Sequence, residues 1–205
     1  MPRINKLIIK LNVNGEIMPI QFNELDRVLN KLGKRVVSNA RKVLKQQKKV
    51  VTGNLSKSLY YNIEGSKESV ELNFEANAPY WDFVEQGVKG LISSAKAPDS
   101  PYQFGSGKEQ LMKGTLRGGI DKWVIQKPIA GIRGANGRFV PRKQMVSAIS
   151  TEIYNYGIAP SNYYSIALDQ GYNKSKRLIA KAIGVDVSTF VEENLTGTYN
   201  LTITI

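Results

Sequence analysis

Close pairs of acidic side chains are the chain's main conventional catalytic resource. Asp82 and Glu85 stand three residues apart in an aromatic segment with Tyr80, Trp81 and Phe83, and Glu192 and Glu193 are adjacent. Paired carboxylates perform acid–base work, or hold a metal, when further polar groups surround them. No such constellation flanks either pair, so no catalytic residue is assigned, and Glu85 is expected to pair with a lysine or to cap a loop. The chain contains no histidine and no cysteine. Ser-His-Asp triads, thiol nucleophiles, disulfides and His- or Cys-based metal centres are therefore excluded. Gly105-Ser106-Gly107-Lys108-Glu109 shares a Gly-Lys pair with phosphate loops. A Walker loop, however, needs glycine at Tyr102 and Ser or Thr at Glu109. Gly131, Gly134 and Gly137 follow no clear strand, so they read as a surface loop and not as a dinucleotide site. No cofactor and no metal is expected.

Charge is the outstanding feature: 29 Lys+Arg against 17 Asp+Glu, a formal net charge of +12. From Arg27 to Ile63 there are ten basic residues and no acidic one. Lys31, Lys34, Arg35, Arg41, Lys42, Lys45, Lys48 and Lys49 form the candidate basic interface, flanked by Arg27 and Lys57. A second basic region runs through Lys127, Arg133, Arg138, Arg142 and Lys143. Such rows suit phosphate contacts, which are sequence-independent and salt-sensitive. A solvated helix face, or a surface matched to an acidic protein, is the plainer reading. No zinc finger, RNA-recognition aromatic signature or clear helix-turn-helix supports the nucleic-acid reading.

The elements that must carry these residues follow from periodicity. The 205 residues, 41% hydrophobic, fit one domain with elaborations. Lys6–Val13 reads as a strand, Asn14-Gly15 as a hairpin turn and Glu16–Phe22 as the returning strand, so residues 1–22 form an N-terminal β-hairpin. A helix over about 23–49 is expected, capped by Asn23, with its apolar stripe at Leu25, Val28, Leu29, Leu32, Val36, Val37, Ala40, Val43 and Leu44. Gly33 weakens that helix by about 1 kcal/mol relative to alanine. Leu55–Ile63 and Ser69–Phe74 read as antiparallel strands, the second with Val70, Leu72 and Phe74 on one face, and Tyr80–Val88 as a short helical segment. Residues 23–90 thus form an α+β core: a long amphipathic helix packed on a small antiparallel sheet.

Residues 91–156 read as a loop-rich and helical insertion. Lys89–Lys108 and Pro128–Arg142 are extended loops. Leu111–Lys127, with Leu116, Ile120, Trp123 and Val124, and Met145–Tyr156 read as helices, the latter ended by Gly157. Residues 157–205 supply helical pieces at Tyr163–Leu168 and Ser175–Ile183 and a closing strand at Tyr199–Ile205. No apolar stretch approaches the roughly 18 residues that a membrane span needs, so no membrane partner is expected.

Two short stretches carry a resemblance. Thr52-Gly53-Asn54-Leu55-Ser56-Lys57-Ser58-Leu59 follows the long basic helix, and Ala78-Pro79-Tyr80-Trp81-Asp82-Phe83-Val84-Glu85-Gln86-Gly87 comes about twenty-five residues later. Together they resemble the tail-completion, or neck (head–tail joining), proteins of tailed bacteriophages. There a long helix ends in a Thr-Gly-x-Leu turn, two strands follow, and a Tyr-x-x-x-x-Glu-x-Gly segment comes next. Gly157-Ile158-Ala159-Pro160 to Ala167-Leu168 looks like the family's later segment. Carried over, the scaffold residues are Thr52, Gly53, Leu55, Tyr80, Glu85 and Gly87. Thr52 would cap or close the helix end, Gly53 adopt a conformation other residues resist, and Leu55 start a strand.

The resemblance implies a virion structural protein of the neck or upper tail, made in the host cytoplasm. It would form a six-fold or twelve-fold ring around the DNA channel, with the Lys89–Lys108 and Pro128–Arg142 loops ordered mainly by neighbouring subunits, and its partners would be copies of itself, portal, adaptor or tail-tube proteins, with DNA in the channel. Two other classes compete with it: a basic nucleic-acid-binding accessory protein, and a metal-independent hydrolase using Asp82 or Glu85.

Overall fold

The computed structural model describes residues 6–13, 22–65, 69–107, 109–127, 133, 137–194 and 201–204. Along the chain run β1 (Lys6–Val13), α1 (Asn23–Gln46), α2 (Asn54–Ser58), β2 (Leu59–Gly65), β3 (Ser69–Ala76) and α3 (Trp81–Gln86). A 3-10 turn at Glu109–Leu111, α4 (Lys113–Gln126), α5 (Arg142–Tyr156), α6 (Tyr163–Asn194) and β4 (Leu201–Thr204) complete them. The fold is α+β, as the periodicities predict. The strands form one sheet in the order β2-β3-β1-β4, and every neighbouring pair is antiparallel.

The chain divides into two compact units: Met1–Lys45, Ser56–Asn77 and Tyr163–Ile205 form the first, Gln46–Leu55 and Ala78–Asn162 the second. In the first unit, α1 buries Leu25, Leu29, Leu32, Val36, Val37, Ala40, Val43 and Leu44. That is the expected stripe except for Val28, which is half-buried. Gly33 lies in the same face, and a Cβ there would sit 2.6 Å from Cγ of Tyr61. The glycine is therefore a seat for an aromatic ring as well as a weak point of the helix. Val70, Leu72 and Phe74 are buried together on the inner face of the sheet, the face their alternation predicts.

Two helical pieces expected in the C-terminal region are one helix of 32 residues, α6. Gly171, between the two expected pieces, serves close packing there and does not break the helix. The Cβ of any other residue would meet Val36 Cγ2 at 2.8 Å and Leu32 Cδ1 at 3.0 Å. The helices run antiparallel: Gly171 meets Leu32 and Val36, Ser175 meets Arg35, and Asp186 reaches Glu24 and Leu25. Tyr164, fully buried, lies with its ring centroid 5.6 Å from that of Phe74 and donates its hydroxyl to the carbonyls of Tyr60 and Glu75.

Three local expectations need correction. Asn54–Ser58 is a helical turn, and the strand expected from Leu55 begins only at Leu59. Leu55 and Leu59 are both buried, a four-residue spacing that suits a helix, and Arg41 takes the carbonyls of Ser56 (2.9 Å) and Leu59 (3.1 Å) at its exit. Helix α1 stops at Gln46, because Lys48 adopts φ 54, a left-handed conformation that ends a helix. Helix α5 starts at Arg142, three residues before the expected Met145. The expected return strand Glu16–Phe22 falls, apart from Phe22, outside the described residues, while β1 is hydrogen-bonded to β3 and to β4. Strand β4 lies within the expected closing strand.

In the second unit, Val88, Phe104 and Leu111 form a buried cluster covered by Phe83, Tyr102, Leu116, Ile153, Tyr154 and Ile158. The loop from Lys89 onward is held from within the chain, against the expectation that neighbours order it. Leu91 N–H donates to the Tyr154 carbonyl, Ile92 and Ser93 N–H to that of Asn155, and Phe104 N–H to that of Lys89. Most of the Pro128–Arg142 loop lies outside the described residues. Gly157 ends α5 as expected, at φ 79 with its N–H on the Ile153 carbonyl at 2.8 Å.

Candidate assembly interface

The scaffold residues hold two crossings of the backbone. Thr52 Oγ1 accepts the N–H of Asn54 at 3.4 Å, so it opens α2 and does not close α1, which has ended six residues earlier. Gly53 has φ 81, the left-handed conformation expected of it, and Leu55 is buried inside α2. Tyr80 is exposed, and its carbonyl accepts the Val84 N–H at the start of α3. Glu85 is buried, and its carbonyl accepts the N–H of Asn162. Gly87 combines φ 71 with a Cβ position 2.5 Å from the Ile158 carbonyl oxygen and 2.7 Å from Pro160 N. Only glycine fits both demands. The next residue, Val88, exchanges two backbone hydrogen bonds with Ile158, at 2.9 and 2.8 Å. The Tyr80–Gly87 motif and the later Gly157–Pro160 segment are thus clamped directly to each other.

Asp82 is engaged as an acceptor. It takes the Tyr102 hydroxyl and the Gln86 amide, and Tyr102 stacks edge-on against Phe83 with centroids 4.6 Å apart. Burial first, and then the hydrogen bond and charge of Asp82, push the Tyr102 hydroxyl up to about 12. The carboxylate locks a packed aromatic corner. Among the described residues no group of three or more carboxylates is placed to hold a metal ion, and no described helix is long and apolar enough to cross a membrane.

All eight residues of the basic interface are exposed, the six on α1 because its apolar stripe turns the rest of the helix outward. Two of them also have structural work: Arg41 holds the α2–β2 junction, and Arg35 Nη1 meets Ser175 Oγ at 3.3 Å. Lys31, Lys34, Lys42, Lys45, Lys48 and Lys49 enter no ion pair among the described residues. The second basic region is spent largely on internal contacts. Lys127 lies over the Trp123 ring at 5.3 Å, Arg133 over Phe139 at 4.3 Å, and Arg142 pairs with Asp121 at 3.1 Å.

Residues 23–87 match the model of the HK97-gp10-like family, described as "Bacteriophage HK97-gp10, putative tail-component". This segment is similar to a phage tail-component family. The match runs from the first residue of α1 to Gly87, and so takes in the basic helix, the β2–β3 hairpin and all six scaffold residues. No curated protein and no solved structure matches the chain.

Sequence reasoning missed three elements of this surface. Lys174, Lys176, Arg177 and Lys181 are exposed on α6, beside the Ser175 that meets Arg35; the run of four bases without an acid was their signal. Asp186, buried on α6, accepts the N–H groups of Glu24 (3.0 Å) and Leu25 (2.8 Å) and caps α1, the role given to Asn23. No local pattern reveals a cap contributed from the far end of the chain. The third element is acidic: Tyr60, Asn62 and Glu64 on β2 stand opposite Glu75, Asn73 and Glu71 on β3. Tyr60 donates to Glu75 Oε2 at 2.6 Å, and that hydrogen bond, with smaller contributions from burial and the Glu75 charge, raises the phenol above its ordinary value.

Proposed function

We propose that the protein is a virion structural component of the phage neck or upper tail. It assembles as a six-fold or twelve-fold ring that joins portal-side proteins to the tail around the DNA channel. The observation that carries this reading is the tail-component match over α1 to α3. The function is mechanical: rigid units present loops and charged faces to neighbours, and the protein has no catalytic step. Leu91 and Ile92, exposed while their N–H groups are pinned to the end of α5, offer a rigid apolar contact for an adjacent ring. Its place is the virion, after synthesis in the host cytoplasm. Phage lacking the gene should accumulate filled heads and separate tails, and complementation should restore joined particles; fully infectious particles without the protein would refute the role.

The basic face supports a second reading, duplex DNA in the channel as the partner of α1. Counterion release then requires an affinity that falls steeply with salt. Salt-insensitive or undetectable retention on DNA rejects it.

A further inference from the structure

Charge in the first unit is segregated by face. Ten basic residues and no acid run from Arg27 to Ile63, all but Lys48 and Lys49 in this unit; then Glu64, Glu68, Glu71 and Glu75 fall within twelve residues containing a single lysine. The fold turns this sequence polarity into spatial polarity. Helix α1 sets its apolar side, with Gly33 against Tyr61, toward the sheet and its lysines toward solvent. On the β2–β3 hairpin the residues alternating with buried Leu59, Leu72 and Phe74 point the other way, and these include Glu64, Glu71 and Glu75. Along β1 the register puts Lys6 opposite Asn73 and Lys10 opposite Ser69, so the acidic row is confined to the outer rim of the sheet. That rim is the β2 edge, which has no strand beyond it among the described residues. Glu64 and Glu71 stand directly opposite each other, a like-charge placement that is unfavourable in an isolated sheet.

We propose that the lysine face of α1 on one copy docks against the acidic β2–β3 rim of the next copy, and that this is the repeating contact of the ring. The two faces belong to one chain and point away from each other, which is the requirement for a head-to-tail contact. Repetition of such a contact closes into a ring when its rotation permits. Opposed charged faces also fix the register and suppress face-to-face and back-to-back pairing. The proposal rests on the ring reading above and names the surfaces that make it.

The test is a charge swap on the full chain, after nuclease treatment. Self-association is measured by native mass spectrometry and sedimentation over a range of concentration and salt. K42E/K45E and E64K/E75K are each expected to weaken association at least about tenfold, since like-charge juxtaposition across an interface is strongly unfavourable. Mixing the two variants, or combining all four changes in one chain, is expected to restore it. Helical circular dichroism and melting confirm folding, and E64K, which spares the Tyr60–Glu75 bond, should give a smaller loss in the same direction. Association of wild type that neither variant weakens overturns this contact and leaves the ring standing. Loss without recovery in the mixture also overturns it. Wild type that stays monomeric at every concentration overturns both contact and ring. Unchanged association with lost retention on DNA overturns the contact and shows that the α1 face serves nucleic acid.

Discussion

Replacing Asp186 with alanine removes the cap of α1 without touching that helix. The carboxylate sits on α6, is buried, and accepts the N–H groups of Glu24 and Leu25 at 3.0 and 2.8 Å. Both belong to the first turn, whose donors have no partner within the helix. A hydrogen bond to a charged group contributes about 1.5–3 kcal/mol, and a negative charge at a helix N-terminus adds about 0.3–1 kcal/mol, or up to about 2 when partly buried. The Glu24 bond is only part-buried, so water recovers some of its loss. The sum for Asp186→Ala is then about 3 kcal/mol, a fall in melting temperature of roughly 6–12 °C for a chain of this size. Asp186→Asn keeps one acceptor of similar shape and loses the charge, and should cost about half as much. Urea unfolding followed by helical circular dichroism separates the variants, and hydrogen exchange at Glu24 and Leu25 locates the effect. A cost for Asp186→Ala below about 0.5 kcal/mol, the range of an ordinary surface change, would refute the capping argument. So would unchanged protection of those two amides.

The remaining predictions bear on other joints of the fold. Gly33→Ala forces a Cβ to within 2.6 Å of Tyr61 Cγ; overpacking of about 1–3 kcal/mol exceeds the helix gain of about 1, so the variant melts lower, and Tyr61→Val in the same chain should reverse the loss. Gly87→Ala meets both a left-handed φ of 71 and the Ile158 carbonyl, and should open the Lys89–Gly107 loop to limited proteolysis. Tyr102 titrates near 12, against 10.0 for an ordinary tyrosine. Its raised value favours the protonated folded form, so the stability it contributes is intact below pH 10.0 and is lost as pH rises toward 12. Tyrosinate absorbance should show this late titration, and Asp82→Asn should bring it earlier. Tyr164→Phe removes the donor serving the Tyr60 and Glu75 carbonyls and should cost about 1–3 kcal/mol in denaturant unfolding.

Legibility in the sequence followed the range of the interaction. The α1 stripe and the inward row of β3 repeat at short fixed spacing, so periodicity alone places Leu25 through Leu44 and Val70, Leu72 and Phe74 on their buried faces. Gly53, Gly87 and Gly157 were legible because left-handed backbone has few tolerant residues. Non-local features were not. Asp186 looks like a surface acid of a helix, and Arg41 like one more member of a basic row, until their partners arrive from elsewhere in the chain. Gly171 lies between the two expected helical pieces, and only the side chains of Leu32 and Val36 reveal it as a packing residue inside one helix. The Leu55–Ile63 stretch holds both a four-residue and a two-residue period, and the Arg41 hydrogen bonds lie at the point where one gives way to the other. For the interface, the basic row was visible as a run of charge. Its acidic counterpart was not, because it needs the β2–β3 register to bring Glu64, Glu71 and Glu75 onto one face.

The measurement that bears most directly on the central claim is copy number in purified particles, by quantitative mass spectrometry against the major shell protein. A neck or upper-tail ring predicts a constant stoichiometry near six or twelve per particle. Absence from particles, or a count that varies between preparations, would contradict a structural ring and favour the DNA-binding reading of the α1 face.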